Sequence, residues 1–166
     1  MKQTFLNYKE AIDYFSDNKI CETQDGSLFN EGLFYTEEKA FKITLFDNEV
    51  NACKRLKGRC FENVCYIFDV YDITIINNET NKWKASIIEQ EKLNKDKSIS
   101  FHHLDFEYIM RNVNRRAEMA KQILNGLIEL DSVGIVYGDL HSSNIMRDKL
   151  GKYKLIDFGT ARVKQR

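Results

Sequence analysis

Three polar residues near the C-terminal end of the sequence have the chemical types and spacing of a site that handles a metal and a nucleotide. Asp139 and Asn144 stand five positions apart in D-L-H-S-S-N, and Asp157 follows the apolar stretch Y-K-L-I in D-F-G. Asn144 and Asp157 carry oxygen ligands of the kind Mg²⁺ prefers, so they could hold the ion on nucleotide phosphates. Asp139 would then accept a proton from an attacking hydroxyl. Either motif alone is short enough to occur by chance, but the two together are far more specific.

Chemistry on nucleotide phosphates also requires a cationic side chain, and the sequence offers one upstream. A-F-K-I places Lys42 in the middle of a predicted strand, and Glu49 begins the inner face of the helix predicted after it. A strand lysine that binds phosphates is commonly held by a glutamate on the next helix. For Glu49 there is a second hypothesis, a solvated residue that the positive N-terminal end of the helix favours.

The first half of the chain predicts a sheet with helices. The segment from Thr4 to Asn18 has apolar residues at helical spacing, and Asn7 and Glu10 are placed like a capping box, so it predicts an amphipathic helix. Short apolar runs between polar turns then predict five antiparallel strands, which are KICETQ, GLFY, KAFKITLF, VCYIFDVYDITII and KWKASIIEQ. A helix, EVNACKRLKG, is inserted after the third strand and ends at Gly58. These elements make up a first lobe over residues 1–91.

Over residues 92–166 the sequence pattern changes from one that predicts strands to one that predicts a helix. Apolar residues at helical spacing predict a helix that ends before Gly134, with an apolar stripe formed by Val113, Ala117, Ala120, Leu124 and Leu127. The two polar motifs follow it and are separated by the turn R-D-K-L-G-K. The order of elements predicts an α+β fold with two lobes.

The amino-acid composition limits the kinds of molecule that we expect the protein to bind. Lys and Arg together number 25, as do Asp and Glu, so no net basic charge favours a nucleic acid or an anionic membrane. The four cysteines form no C-x-x-C pair and the histidines lie far from them, which predicts reduced thiols without a metal cage. No signal-peptide core and no membrane-length apolar run is present, so we expect a cytoplasmic protein.

The order of the motifs resembles that of protein kinases from about residue 20 onwards. The strongest parts are V-Y-G-D-L-H-S-S-N and L-I-D-F-G, and G-D-L-H-x-x-N is closer to atypical kinases such as aminoglycoside phosphotransferases, Rio-type kinases and the kinase of the KEOPS complex. The resemblance implies a bilobal protein-kinase-like fold with a five-stranded antiparallel first lobe, containing one helix, and a truncated, mostly helical second lobe. It also implies ATP with Mg²⁺ or Mn²⁺, and transfer of the γ-phosphate to Ser or Thr of a docked protein substrate.

The resemblance implies a role for each polar position. Lys42 would bind the phosphates, with Glu49 as its ion-pair partner. Asp139 would be the catalytic base, and Asn144 and Asp157 would be the metal ligands.

Further positions would contact the nucleotide. Ala40 and Met146 would sandwich adenine, and the backbone of Ile88 to Glu91 would bind its edge, which assigns Glu89, Gln90 and Glu91 to the nucleotide. Gly26 and Ser27 would approach the phosphates in a loop that lacks G-x-G-x-x-G, so we expect modest ATP affinity.

Two departures from the kinase pattern lie in the D-L-H-S-S-N region. His141 has two hypotheses, a donor that stabilises the transferred phosphate or a hydrogen bond that shapes the loop. Gly138 replaces the arginine of H-R-D, so activity should not depend on phosphorylation of an activation loop.

The sequence stops seven residues after Gly159. The sequence is therefore either a truncated piece of a longer kinase or a naturally minimal kinase of the bacterial effector or viral type, and an injected effector or viral protein would act in a host cytosol. We also expect a protein substrate, an activating protein or a second copy to cover the second lobe at the helix stripe and the Tyr137 loop. The alternative function is a nucleotide-binding pseudokinase or ATPase-like module that regulates a protein partner. A KEOPS-like ATPase acting with tRNA is a third hypothesis, which the neutral net charge does not favour.

Overall fold

The structure is a computed structural model that describes residues 3–24, 32–77, 81–93 and 111–164. The chain divides into two compact units. The first consists of Met1–Gly58 and Ile67–Lys92, and the second of Arg59–Tyr66 and Leu93–Arg166. Among the described residues, no helix has both the length and the apolar character needed to cross a bilayer.

A six-stranded sheet forms the centre of the first unit. Its strands are β1 (Gln3–Phe5), β2 (Glu22–Gln24), β3 (Leu33–Tyr35), β4 (Lys39–Thr44), β5 (Ile67–Asn77) and β6 (Asn81–Glu91), in the spatial order β1-β5-β6-β4-β3-β2. Neighbours from β5 to β2 are antiparallel, which confirms the predicted five-stranded arrangement. The sixth strand, β1, pairs in parallel with β5 and was not predicted.

Helix α1 (Tyr8–Phe15) is shorter than the sequence predicts. Asn7 accepts a hydrogen bond from the Glu10 backbone N–H at 2.8 Å, and the Glu10 carboxylate accepts one from the Leu6 N–H at 2.7 Å. This capping box was predicted, and it makes Asn7 the residue before the helix. The prediction that the helix starts at Thr4 was therefore wrong, because Thr4 pairs with Thr74 in the sheet.

The two faces of the sheet are covered by different helices. Ala11 and Ile12 of α1 pack on one face against a core that includes Phe41, Ile43 and Ile87. Helix α2 (Asp47–Leu56) lies on the other face, and its buried residues are Glu49, Val50, Ala52, Cys53 and Leu56. Because both faces are covered, the central strands β4 and β6 bury consecutive residues, Ala40–Thr44 and Ala85–Glu89.

The described part of the second unit contains one long helix and two short antiparallel pairs of strands. The helix is α3 (Val113–Ser132), and the strands are β7 (Ile135–Val136), β8 (Ile145–Arg147), β9 (Tyr153–Leu155) and β10 (Arg162–Val163). Strand β7 pairs with β10, and β8 pairs with β9. A short 3-10 helix, Ser142–Asn144, precedes β8.

The buried face of α3 differs from the predicted stripe. Val113 and Leu124 are exposed, at 66% and 58% of their surface, whereas Gly126 and Leu130 are buried. A Cβ at Gly126 would lie 2.6 Å from the Asn63 backbone oxygen, so the glycine is what allows the helix to approach this segment. Close approach of the backbone, rather than a stripe of large side chains, therefore sets the buried face.

The segment 59–66 belongs to the second unit, although the sequence division placed it in the first lobe. The Leu155 N–H donates to the Asn63 oxygen, and the Cys65 N–H donates to the Leu155 oxygen, both at 2.9 Å. The Glu129 carboxylate accepts the N–H groups of Glu62 and Asn63, also at 2.9 Å. These bonds join the segment to β9 and α3.

Candidate active site

A buried ion pair between β4 and α2 is the main polar feature on one face of the first unit. The Lys42 ammonium lies 2.6 Å from Glu49 Oε1, and the two side chains are only 7% and 2% exposed. Only Leu45 and Phe46 separate β4 from α2, so the helix begins directly beside the strand. The solvated alternative for Glu49 does not fit this burial.

The second carboxylate oxygen of Glu49 indicates that the Lys42–Glu49 ion pair has a role other than stabilising the fold. Glu49 Oε2 is buried and has no hydrogen-bond partner among the described residues. An unsatisfied buried acceptor lowers stability, and such groups occur where a site needs them.

Strand pairing shows which residues share the face of Lys42. Lys42 pairs with Ile88, and Ala40 pairs with Gln90, so these side chains lie on one face. Glu89 lies between them in sequence and points to the opposite face. Its backbone is inside the sheet, with Phe41 of β4 on one side and Asp69 of β5 on the other.

The ladder between β6 and β5 ends one residue before the end of β6. Strand β5 begins at Ile67, opposite Gln90, and Glu91 pairs with Lys39 of β4. The Lys92 N–H donates to the Glu38 oxygen, and alternation then turns the N–H and C=O of Glu91 away from β4. The expected base-binding stretch, Ile88 to Glu91, thus lies at the C-terminal end of β6, and its contact with a base stays a prediction.

In the second unit, Asn144 is held against Asp139. The Asn144 amide nitrogen donates to the Asp139 backbone oxygen at 3.0 Å and lies 3.3 Å from its Oδ2. Asn144 is 6% exposed and closes the 3-10 helix before β8. Because its nitrogen is turned toward Asp139, the amide oxygen, the atom that a metal needs, lies on the other side of the amide group.

Asp157 is placed beside this pair through its neighbour Ile156. The Ile156 N–H donates to the Asn144 oxygen at 3.0 Å, and the Tyr137 hydroxyl donates to the Ile156 oxygen. Asp157 itself adopts a left-handed backbone conformation, with φ of 58°, and its Oδ1 accepts the Gly159 N–H at 3.1 Å. A non-glycine residue in this conformation is uncommon and is often associated with function.

The pKa of Tyr137 depends on its burial and on the charges around it. Burial raises the pKa of the Tyr137 phenol well above its usual range, and the nearby carboxylates of Asp157 and Asp139 raise it further. The same carboxylates therefore act on one phenol, which the sequence analysis did not assign to the site.

His141 lies beside the predicted base. Its Nε2 is 3.4 Å from Asp139 Oδ2, and both side chains are about half exposed, at 46% and 47%. The contact suits either hypothesis for His141, because the same ring can orient the carboxylate and reach outward as a donor.

The structure therefore brings together two groups of predicted residues. Lys42 contacts Glu49 in the first unit, and Asp139, Asn144, His141 and Asp157 lie along one connected loop system in the second. Ala40 is buried in β4, and Met146 is half-buried in β8 of the second unit. Gly26 and Ser27 lie outside the described residues.

The donor set in the second unit fits a magnesium ion. Asn144 and Asp157 offer an amide oxygen and carboxylate oxygens, which are hard ligands of the type that Mg²⁺ and Mn²⁺ accept. Asn144 is fixed by four hydrogen bonds, two through its side chain and two through its backbone. A ligand that is fixed before binding is suited to an ion with strict geometry.

We compared the sequence with models of known protein families, and one family matches. The family model described as the protein kinase domain matches residues 34–166. The matching stretch contains β3 to β10 with α2 and α3, and thus both groups of polar residues.

Three curated relatives match shorter stretches. Mitogen-activated protein kinase kinase 10 of Arabidopsis thaliana is 43% identical over 47 residues, 28% of this chain and 15% of that protein. The probable serine/threonine-protein kinase mkcB of Dictyostelium discoideum is 50% identical over 48 residues, 29% of this chain and 7% of that protein. The serine/threonine-protein kinase PKH1 of Saccharomyces cerevisiae is 43% identical over 44 residues, 26% of this chain and 6% of that protein. The matches thus span only a small part of the length of each relative.

Proposed function

We propose, from the premise that the chain belongs to the protein kinase domain family, that it transfers the γ-phosphate of ATP to a Ser or Thr hydroxyl of a protein substrate. The observation that carries the proposal is the Lys42–Glu49 ion pair, because charges this deeply buried add little to stability and are kept where a charged ligand needs them. The choice of Ser or Thr is supported by the names of two relatives, the probable serine/threonine-protein kinase mkcB and the serine/threonine-protein kinase PKH1.

In this proposal Lys42 binds the phosphates of ATP, and Glu49 holds its ammonium group in place. A lysine is a flexible point charge, so a fixed carboxylate beside it reduces the number of positions that the ammonium can take. The bound phosphates would meet a charge that is already desolvated, which strengthens the attraction.

Asp139 accepts the proton of the attacking hydroxyl, since phosphoryl transfer depends mainly on positioning and charge stabilisation. Asn144 and Asp157 would hold Mg²⁺ or Mn²⁺, which when bound neutralises charge on the phosphates. His141 donates to the transferred phosphate or orients Asp139.

In the first unit, Ala40 would contact the base on the face of β4 that carries Lys42, and the backbone of Ile88 to Glu91 would bind its edge. Met146 stays a prediction for a second contact with the base. Gly26 and Ser27 stay predictions for the phosphate loop.

A protein partner is the second part of the proposal. The outer face of α3 exposes Val113, Leu124 and Ile128 to between 58% and 66% of their surface. Exposed apolar residues in a row commonly mark an interaction surface. We propose that a protein substrate, an activating protein or a second copy of the chain covers this face.

Transfer of labelled γ-phosphate tests the function. Wild-type protein with Mg²⁺ and ATP should label a mixture of intact acceptor proteins on Ser or Thr, whereas Asp139→Asn should lower the rate by about 10²- to 10⁴-fold, the usual contribution of a general base. Asp131→Asn is the matched control, because it removes an exposed carboxylate of the same unit that forms an ion pair with Lys164.

Two results would count against the proposal. Equal labelling by wild type and Asp139→Asn would mean that Asp139 is not the base or that the activity belongs to a contaminant. Nucleotide binding without transfer by the wild type would favour the regulatory pseudokinase or ATPase-like module.

A further inference from the structure

Two segments of the second unit lie side by side next to the candidate metal site. Residues 134–138 lead directly into Asp139, and residues 160–164 follow Asp157 after a turn. The antiparallel pairing of β7 with β10 joins the two segments. The loop of the predicted base and the loop of a predicted metal ligand are therefore connected directly through their backbones.

A close contact at Gly138 extends this connection toward the predicted base. Val136 is opposite Arg162 in the pair of strands. Two residues further on, the same register brings Gly138 opposite Thr160. A Cβ at Gly138 would lie 2.9 Å from the Thr160 backbone oxygen and 3.0 Å from its Oγ1. Non-bonded heavy atoms pack best at about 3.5–4.0 Å, so a side chain at Gly138 would displace Thr160.

Thr160 is linked to Asp157 through a tight turn. The Ala161 N–H donates to the Phe158 oxygen at 3.0 Å, which closes the turn around Thr160. Inside the turn, the Gly159 N–H donates to Asp157 Oδ1 at 3.1 Å. A displacement of Thr160 therefore moves the residues that set the conformation of Asp157.

Tyr137, the neighbour of Gly138, contacts the residues on both sides of Asp157. Its hydroxyl donates to the Ile156 oxygen, and its ring meets the Phe158 ring edge-on with centroids 6.0 Å apart. Asp157 has a φ of 58°, and a non-glycine residue keeps such a conformation only where its surroundings enforce it. Two consecutive residues before the predicted base thus contact the segment that carries Asp157.

We propose that Gly138 is a positioning residue for the metal site. Because it has no side chain, Thr160 can pack on the loop before Asp139, and this contact keeps Asp157 in the conformation that binds Mg²⁺ or Mn²⁺. The arginine of H-R-D would not fit at this position without displacing Thr160. The inference rests on the proposed function, because it needs Asp157 to bind the ion.

Binding of Mn²⁺ alone to the full chain tests the inference. Dissociation constants are measured from the electron paramagnetic resonance signal of free Mn²⁺ for the wild type, Gly138→Ala, Thr160→Gly and the double variant Gly138→Ala/Thr160→Gly. Asp157→Asn shows which part of the binding belongs to the candidate site. Gly126→Ala is the matched control, because it adds the same methyl group against another backbone oxygen of the same unit, that of Asn63 at 2.6 Å. Circular dichroism checks that each variant is folded.

Gly138→Ala should weaken Mn²⁺ binding by about 10- to 100-fold, the usual effect of removing a group that orients a metal ligand. Thr160→Gly should cause a smaller loss, because it removes the side-chain part of the contact and leaves the backbone part. The double variant should bind Mn²⁺ more tightly than the product of the two single losses predicts, since both residues act through one contact. Gly126→Ala should keep the affinity within about twofold. In the transfer assay, the Mn²⁺ concentration that gives the half-maximal rate should rise in Gly138→Ala by the same factor as the dissociation constant.

Three results would overturn the inference. Unchanged Mn²⁺ binding in Gly138→Ala would show that the contact does not position Asp157. An equal loss in Gly126→Ala would indicate a general loss of structure, and single losses that simply multiply in the double variant would show that the effect does not pass through Thr160. If Gly138→Ala does not fold, Thr160→Gly decides, and an affinity equal to that of the wild type then overturns the inference. A wild type that binds no Mn²⁺ overturns the metal site of the proposed function as well, whereas the other results leave that site in place.

Discussion

Replacing Lys42 by methionine should strongly destabilise the first unit, although methionine has nearly the same length. The change removes the charge that neutralises Glu49, whose side chain is 2% exposed and whose Oε2 has no hydrogen-bond partner among the described residues. Breaking a buried ion pair by removing one partner costs about 3–5 kcal/mol. We therefore expect a loss of that size in the free energy of unfolding.

A second ion pair on α2 provides a matched comparison. Lys54 lies 2.7 Å from Asp72 Oδ2, but the two side chains are 43% and 46% exposed. An exposed pair is worth about 0–1 kcal/mol, because water solvates each charge when the other is removed. Lys54→Met makes the same chemical change as Lys42→Met, in an ion pair with a similar N–O distance. The difference between the two variants in the free energy of unfolding therefore measures the effect of burial.

The double variant Lys42→Met/Glu49→Leu separates stability from function. With both charges gone, the site becomes apolar, and such replacements are commonly neutral or stabilise a protein by about 1–4 kcal/mol. We expect the double variant to recover most of the stability that Lys42→Met loses. Phosphate transfer should stay absent, because the phosphates have lost their cation.

The assay is urea unfolding followed by tryptophan fluorescence. The sequence has one tryptophan, Trp83, and it lies on β6 of the same unit, so the signal reports on the sheet that carries Lys42. Equal losses in Lys42→Met and Lys54→Met would refute the reasoning, since they would show that the Lys42–Glu49 pair is as solvated as the exposed one.

Two further predictions concern the second unit. Gly126→Ala should lower the stability of the second unit, because overpacking against the Asn63 oxygen at 2.6 Å costs about 1–3 kcal/mol and offsets the helix-propensity gain of about 1 kcal/mol. Unfolding followed by circular dichroism at 222 nm measures the change. A variant more stable than wild type would contradict this prediction. Since the pKa of Tyr137 is raised in the folded protein, chiefly by burial, its contribution to stability should be complete below about pH 10, the usual tyrosine value, and be lost at higher pH. In a pH titration followed by absorbance at 295 nm, Tyr137→Phe should remove a phenol that ionises at a higher pH than free tyrosine. A normal pKa for that phenol would contradict this prediction.

Local signals were enough to predict the parts of the site that follow one another in the chain. The strand of Lys42 and the helix of Glu49 are separated by two residues, so their pairing depends on a short connection that sequence spacing describes well. Asp139 and Asn144 lie in one loop, and the structure joins them by a direct hydrogen bond.

Features that depend on distant residues were not predicted. Strand β1 pairs with residues 73–75 of β5, about seventy positions away, and three residues are too few to show a strand period. The buried face of α3 depends on Gly126, which has no side chain to count in an apolar stripe and contacts Asn63, far away in sequence.

Glu89 shows why strand register decides the surroundings of a residue. The sequence places it beside Gln90 and Glu91, and nothing local distinguishes a residue on the Lys42 face of the sheet from one on the opposite face. Strands β4 and β6 carry charges on both faces, with Lys42 paired to Glu49 of α2 on one face and Lys39 paired to Glu89 on the other. The usual alternation of apolar and polar residues assumes one solvated face, and here α1 and α2 cover both. A buried charged residue in these strands therefore needs a partner on a neighbouring strand or on a helix, as Glu89 has in Lys39 and Lys42 has in Glu49.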